Sequence, residues 1–90
     1  MTEQQIQQAL SSITGWVRED QTIAKVFHFP TYMDGIKFVQ KVAEEAEKQH
    51  HHPDILIEYR QVTLRLTTHD EGSLTEKDFH LARRLDILVS

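Results

Sequence analysis

The sequence predicts an α+β fold in two layers, of order α-β-β-α-β-β-α: a four-stranded antiparallel sheet with its helices packed on one face. Three observations carry this. Three stretches repeat apolar residues at helical spacing. Two pairs of stretches alternate with period two, each pair broken by turn residues, as hairpins do. The hairpins are separated by a helical stretch rather than threaded by crossovers, which suits one antiparallel sheet.

In chain order, Thr2 can cap a first helix, with Gln5 three residues on, and Ile6, Ala9, Leu10 and Ile13 form its apolar side. Gly15 is expected to end it in a left-handed conformation. Trp16-Val17-Arg18 reads as a short strand, turned at Glu19-Asp20-Gln21 into Thr22 to Phe29, where Ile23, Lys25, Phe27 and Phe29 alternate with Ala24, Val26 and His28. Pro30 stops that strand. The longest helix follows, with Tyr32, Ile36, Val39, Ala43 and Ala46 as its stripe, Phe38 and Val42 widening it, and Glu44, Glu45 and Glu47 on the wet side.

After Pro53 the period becomes two. Ile55, Ile57 and Tyr59 oppose Leu56, Glu58 and Arg60; Val62, Leu64 and Leu66 then oppose Thr63, Arg65 and Thr67. His69 joins the face of Thr67 and Arg65 unless the strand ends first. A loop at Asp70-Glu71-Gly72-Ser73 leads to Thr75, a helix cap with Asp78 at its third position and Leu74 and Phe79 placed as a hydrophobic staple. Leu81, Ala82, Leu85, Leu88 and Val89 form the last apolar arc, which Asp78 begins. Trp16 and Tyr59 read as core or interface aromatics.

The 90 residues, with 39% hydrophobic and 27% charged, are expected to form a single domain over residues 1–90, with one modest core. A formal charge of −4 with scattered basic residues argues against a nucleic-acid backbone as partner. No apolar run has the length to cross a bilayer, and MTEQQIQQ lacks a signal-peptide core, so the expected setting is soluble and cytoplasmic. Cysteine is absent, which excludes disulfide and thiolate chemistry.

The chemistry gathers at Glu47-Lys48-Gln49-His50-His51-His52-Pro53. A helix would fan three successive imidazoles about 100° apart. Pro53 disfavours helix at His52, so the histidines belong at a helix exit. If the helix runs far enough, Glu47 can reach an imidazole four residues on. His28, His50 and His80 read as surface positions.

Glu47, three residues, His51-His52-Pro53, five residues, Tyr59, nine residues, His69, eight residues, Asp78: this series resembles the pterin-4a-carbinolamine dehydratase family, also known as DCoH. Gly15-Trp16, the Ile-x-Lys-x-Phe-x-Phe strand, Ala46-Glu47 and the Leu-Thr-x-x-Asp-Phe helix start extend the likeness over most of the chain. The resemblance implies dehydration of 4a-hydroxytetrahydropterin to quinonoid dihydropterin, in recycling the cofactor of aromatic amino acid hydroxylation. It implies His51, His52 and His69 as catalytic residues, with Glu47, Pro53, Thr68 and Asp78 in substrate-binding or supporting places. It also implies a pterin as small-molecule partner, a homo-oligomer (dimer or tetramer), and neither metal nor other cofactor. Two positions depart from many relatives: Ile55 where an aromatic stands two places after Pro53, and His50 where an acidic residue precedes the histidine pair. The animal members' dimerisation of a homeodomain transcription factor has no residue here that points to it.

The residue types suit that chemistry on their own terms. Expelling water from a carbinolamine takes a proton to the hydroxyl and a proton off the adjacent ring nitrogen, and imidazoles with ordinary pKa near 6.5 serve either task at neutral pH. Two other classes compete. One is a metal site of His51, His52, His69 and a carboxylate, although adjacent histidines lack the i, i+4 spacing of helical zinc motifs. The other is a non-catalytic interaction module, which needs apolar faces but no converging imidazoles.

Overall fold

The computed structural model describes residues 1–89. The elements are α1 (Glu3–Ser11), β1 (Val17–Glu19), β2 (Thr22–His28), α2 (Tyr32–Gln49), β3 (Asp54–Glu58), β4 (Gln61–Leu66) and α3 (Glu76–Ile87), the order and antiparallel sheet that the sequence predicts. The strands lie in the order β1-β2-β4-β3, so each hairpin contributes one inner and one edge strand.

Local sequence sets the helix starts. Thr2 and Gln5 form a reciprocal capping box, and Thr75 and Asp78 form another. Thr31 caps α2 by accepting the Asp34 N–H at 3.1 Å. The first helix stops sooner than Gly15. The hydroxyls of Ser11 and Ser12 donate to the carbonyls of Gln8 and Ala9 at 2.6 and 2.7 Å, satisfying acceptors that a further turn would have used. Gly15, at φ +84°, instead turns the chain into β1.

Pairing puts Ile23 opposite Leu66, Lys25 opposite Leu64 and Phe27 opposite Val62. These side chains face the helices. The core joins them to Ile6, Trp16, Phe38, Val42, Leu74, Phe79, Leu81 and Leu85. Lys25 is tolerated on this face because its ammonium lies 5.0 Å from the Phe27 ring centroid and donates to Asp86 and to the Thr14 carbonyl, each at 2.8 Å. Asp86 also accepts the Trp16 indole N–H, which ties α3 to the first hairpin.

The arc that α2 buries differs from the predicted stripe. It is Gly35, Phe38, Val42, Glu45 and Ala46, while Tyr32 and Ala43 are exposed. Phe38 decides the rotation: its ring packs 4.8 Å from Phe27 and 5.1 Å from Phe29, centroid to centroid. Glu45 thereby turns inward from the predicted wet face, and its carboxylate takes the Gln49 amide at 2.9 Å and lies 3.6 Å from Arg84. Two further expectations are corrected at chain turns. Tyr59 stands exposed in the β3–β4 turn, which removes the core half of its core-or-interface expectation and leaves the interface half, and Val89 is exposed beyond the end of α3.

Candidate active site

Helix α2 delivers the histidines by ending at Gln49. His50 is its C-cap in the left-handed region, φ 51° and ψ 40°, and its N–H still bonds back to the last turn. That reversal breaks the helical spacing, so Glu47 does not reach His51. It pairs instead with His52, Oε2 to Nε2 at 2.5 Å. His51 swings toward the start of α3, where its Nε2 lies 2.6 Å from Asp78 Oδ1. The expected contact between Glu47 and the imidazole four residues on is replaced by two separate imidazole–carboxylate pairs.

His69 arrives from the other side. Strand β4 ends at Leu66, and the chain folds through a tight turn closed by the Thr68–Ser73 bridge. The Glu71 N–H bonds to the Thr68 carbonyl and the Gly72 N–H to that of His69, each at 3.1 Å. Thr68, His69 and Asp70 thus face His50, His51, His52 and Lys77 across one cavity of about 190 Å³. A second cleft of about 230 Å³ adjoins it, sharing His51 and Lys77 and bounded by Gln49, Glu76 and His80. Larger clefts lie elsewhere, including one of about 400 Å³ by Phe29, Lys37 and Lys41, but they bring no two imidazoles together.

Of the residues singled out in the sequence, His51, His52, Thr68 and His69 line this cavity. Glu47 and Asp78 stand behind His52 and His51 without lining it. Pro53 is half-buried and sets the exit from the histidine run into β3. The two pairs differ in setting. The His51 and Asp78 side chains are 11% and 0% exposed, those of His52 and Glu47 62% and 76%. The His52 hydrogen bond and charge hold the Glu47 carboxyl below its usual range, with a smaller contribution from His50. Asp78 is held by two further contacts, its Oδ2 accepting the Thr68 hydroxyl at 2.8 Å and the Thr75 N–H at 2.9 Å, and the two threonine hydroxyls lie 2.7 Å apart.

Sequence reading did not find Lys77, Asp70 or Thr75 as neighbours of the histidines, and it set His50 aside. Thr75 was visible only as a cap; nothing in the local sequence reports that its hydroxyl meets Thr68. Among the described residues, no group of three or more His, Asp or Glu side chains is arranged to hold a metal ion, and no helix is long and apolar enough to cross a membrane.

The chain is similar to several known proteins. A protein of Mycobacterium sp. (strain KMS), provisionally named pterin-4-alpha-carbinolamine dehydratase, is 46% identical over 89 residues, covering 99% of this chain and 95% of its own. One of Roseiflexus sp. (strain RS-1) with the same provisional name is 48% identical over 89 residues, covering 99% and 96%. The crystal structure of a transcriptional coactivator/pterin dehydratase from Brucella melitensis superimposes with a TM-score of 0.93 at 32% identity, over 100% of this chain and 98% of that one. A pterin dehydratase-like RuBisCO assembly factor of the alpha-carboxysome shares the fold, with a TM-score of 0.67 at 24% identity over 81% of this chain and 84% of its own. The family profile described as pterin 4 alpha carbinolamine dehydratase matches residues 1–88. The chain therefore belongs to the pterin-4a-carbinolamine dehydratase family.

Proposed function

We propose that this chain dehydrates pterin-4a-carbinolamine to quinonoid dihydropterin and water, by proton transfers through His51, His52 and His69, in tetrahydropterin recycling. The observation that carries the reading is the meeting of those three imidazoles on one cavity, with a carboxylate behind two of them. Loss of water breaks the carbon–oxygen bond as the lone pair of the adjacent ring nitrogen forms the new double bond. The hydroxyl gains a proton and the nitrogen loses one, so the protein's net proton count is restored after each turnover.

His52 is assigned to the departing hydroxyl, and His51 and His69 to the remaining proton transfers. Each such transfer is worth about 10²–10⁴ in rate. His52 and His69 are exposed, so both can exchange protons with water between turnovers. The pathway expected is the one serving aromatic amino acid hydroxylases, and the setting expected is the cytoplasm. The assembly expected is a dimer or tetramer, in keeping with the exposed apolar residues of edge strand β3.

The test is stopped-flow measurement of carbinolamine breakdown with and without the protein. Acceleration that is lost in His51→Ala and His52→Ala supports the reading; breakdown at the buffer rate sinks it. That second outcome would favour a scaffold that binds other proteins, the kind of role named for the RuBisCO assembly factor of the same fold.

A further inference from the structure

The buried end of the site holds a directed chain of hydrogen bonds. Asp78 has no exposed surface, and its Oδ2 accepts from the Thr75 N–H and from Thr68 Oγ1. Each threonine hydroxyl carries a single hydrogen. Thr68 commits its hydrogen to Asp78, so the 2.7 Å contact between the hydroxyls is donated by Thr75. Thr75 Oγ1 meanwhile accepts the Lys77 N–H at 3.3 Å, as an N-cap oxygen does. The donation therefore runs from Thr75 to Thr68 to Asp78.

Asp78 thus has two donors on Oδ2, the Thr68 hydroxyl and the Thr75 N–H, and sits in the first turn of α3. A carboxylate can only accept, so the hydrogen in the 2.6 Å contact with His51 belongs on Nε2. The other ring nitrogen, Nδ1, makes no hydrogen bond among the described residues.

We propose that Thr75 is a positioning residue of the site: through Thr68 and Asp78 its hydroxyl fixes His51 as the Nε2–H tautomer, leaving Nδ1 as the atom that exchanges a proton with substrate. The cap of α3 and the orientation of the imidazole are then set by one side chain. The kinetic part rests on the dehydratase reading; the tautomer part does not.

The test uses the full chain labelled with ¹⁵N, with the His51 ring nitrogens observed by long-range ¹H–¹⁵N correlation and with dehydration kinetics on the same samples. Thr75→Gly removes the hydroxyl yet keeps most of the capping preference, and Thr75→Ser keeps both. Thr68→Val cuts the chain one link further in. Expected are the Nε2–H tautomer alone in the native protein and a mixture in Thr75→Gly and Thr68→Val. In both variants kcat should fall about 10-fold with little change in KM, the lower end of the range known for losing the partner of a metal-ligating imidazole, since Asp78 itself is kept. Thr75→Ser should restore tautomer and rate. The proposal is overturned by an Nδ1–H tautomer in the native protein, or by native tautomer and kcat in folded Thr75→Gly. If Thr75→Gly does not fold, native tautomer in Thr68→Val overturns it equally. A native protein without dehydratase activity would remove the functional reading, and the ring spectra would still decide the tautomer.

Discussion

His51 and Asp78, 27 residues apart in sequence, meet at 2.6 Å with the carboxylate wholly buried and the imidazole nearly so. The contact joins the exit of α2 to the entrance of α3, so it is both a structural tie and the support of a candidate catalytic ring. Asp78→Ala should therefore cost stability as well as rate. Removing the buried acceptor leaves the His51 Nε2–H without a partner, a loss of about 1–3 kcal/mol. Here it would also strip the Thr68 hydroxyl and the Thr75 N–H of their acceptor. Urea unfolding checks this, and a midpoint equal to that of the native protein would show that His51 and the threonines find other partners.

The second pair should behave in the opposite way. Glu47 and His52 are both open to water, where the attraction between exposed charges is largely screened. Glu47→Gln should leave the urea midpoint unchanged while lowering the dehydration rate, because the amide holds His52 less firmly in place. A shifted midpoint with an unchanged rate would make Glu47 a structural residue.

The contrast between the pairs marks what the sequence could reveal. The capping boxes at Thr2–Gln5 and Thr75–Asp78 span three residues, and the strands declare themselves by alternation, so both were legible locally. Which carboxylate serves which imidazole was not. That depends on the left-handed turn at His50, which replaces an i, i+4 relation by one at i, i+5. The buried arc of α2 was likewise hidden because it is set by the rings of Phe27, in β2, and Phe29, just past its end. Glu45 looked like its exposed neighbours until Arg84 and Gln49 were placed around it.

That left-handed turn gives a prediction of its own. A side chain in this region meets a steric cost of about 1–2 kcal/mol that glycine escapes, less glycine's own entropic penalty. His50→Gly should raise stability by up to about 1 kcal/mol in urea unfolding. Destabilisation instead would mean that the His50 ring makes contributions outweighing the strain.

Glu45 supplies a pH dependence. The Gln49 hydrogen bond chiefly, with help from Arg84 and Lys48, outweighs burial and lowers its pKa from the ordinary 4.5. The folded protein thus takes up this proton less readily than the unfolded chain. The stabilising contribution is present above pH 4.5 and is lost as pH falls through the lowered folded value. Replacing the carboxyl by an amide in Glu45→Gln removes the titration. The native protein should therefore lose more stability than the variant between about pH 5 and pH 3, over the carboxylate range. Parallel stability curves for the two proteins would show that this group titrates alike in both states.

Strand β3 carries the last prediction. It lies at the sheet edge, and Ile55, Leu56 and Ile57 remain 37%, 49% and 40% exposed in the isolated chain. Pairing places Ile55 and Ile57 opposite Leu64 and Val62, with Leu56 opposite Thr63 on the other face, so apolar surface is offered on both sides of an edge. Natural edge strands usually carry charge, a bulge or proline to prevent such contact. Asp54 and Glu58 guard only the ends of this one. The native chain should accordingly run as a dimer or tetramer in size-exclusion chromatography with light scattering. Ile57→Lys combined with Leu56→Lys should shift the mass toward one chain while far-ultraviolet circular dichroism stays the same. If the double variant keeps the native mass, assembly uses another surface; a native protein that is monomeric at working concentration would remove the expectation of assembly altogether.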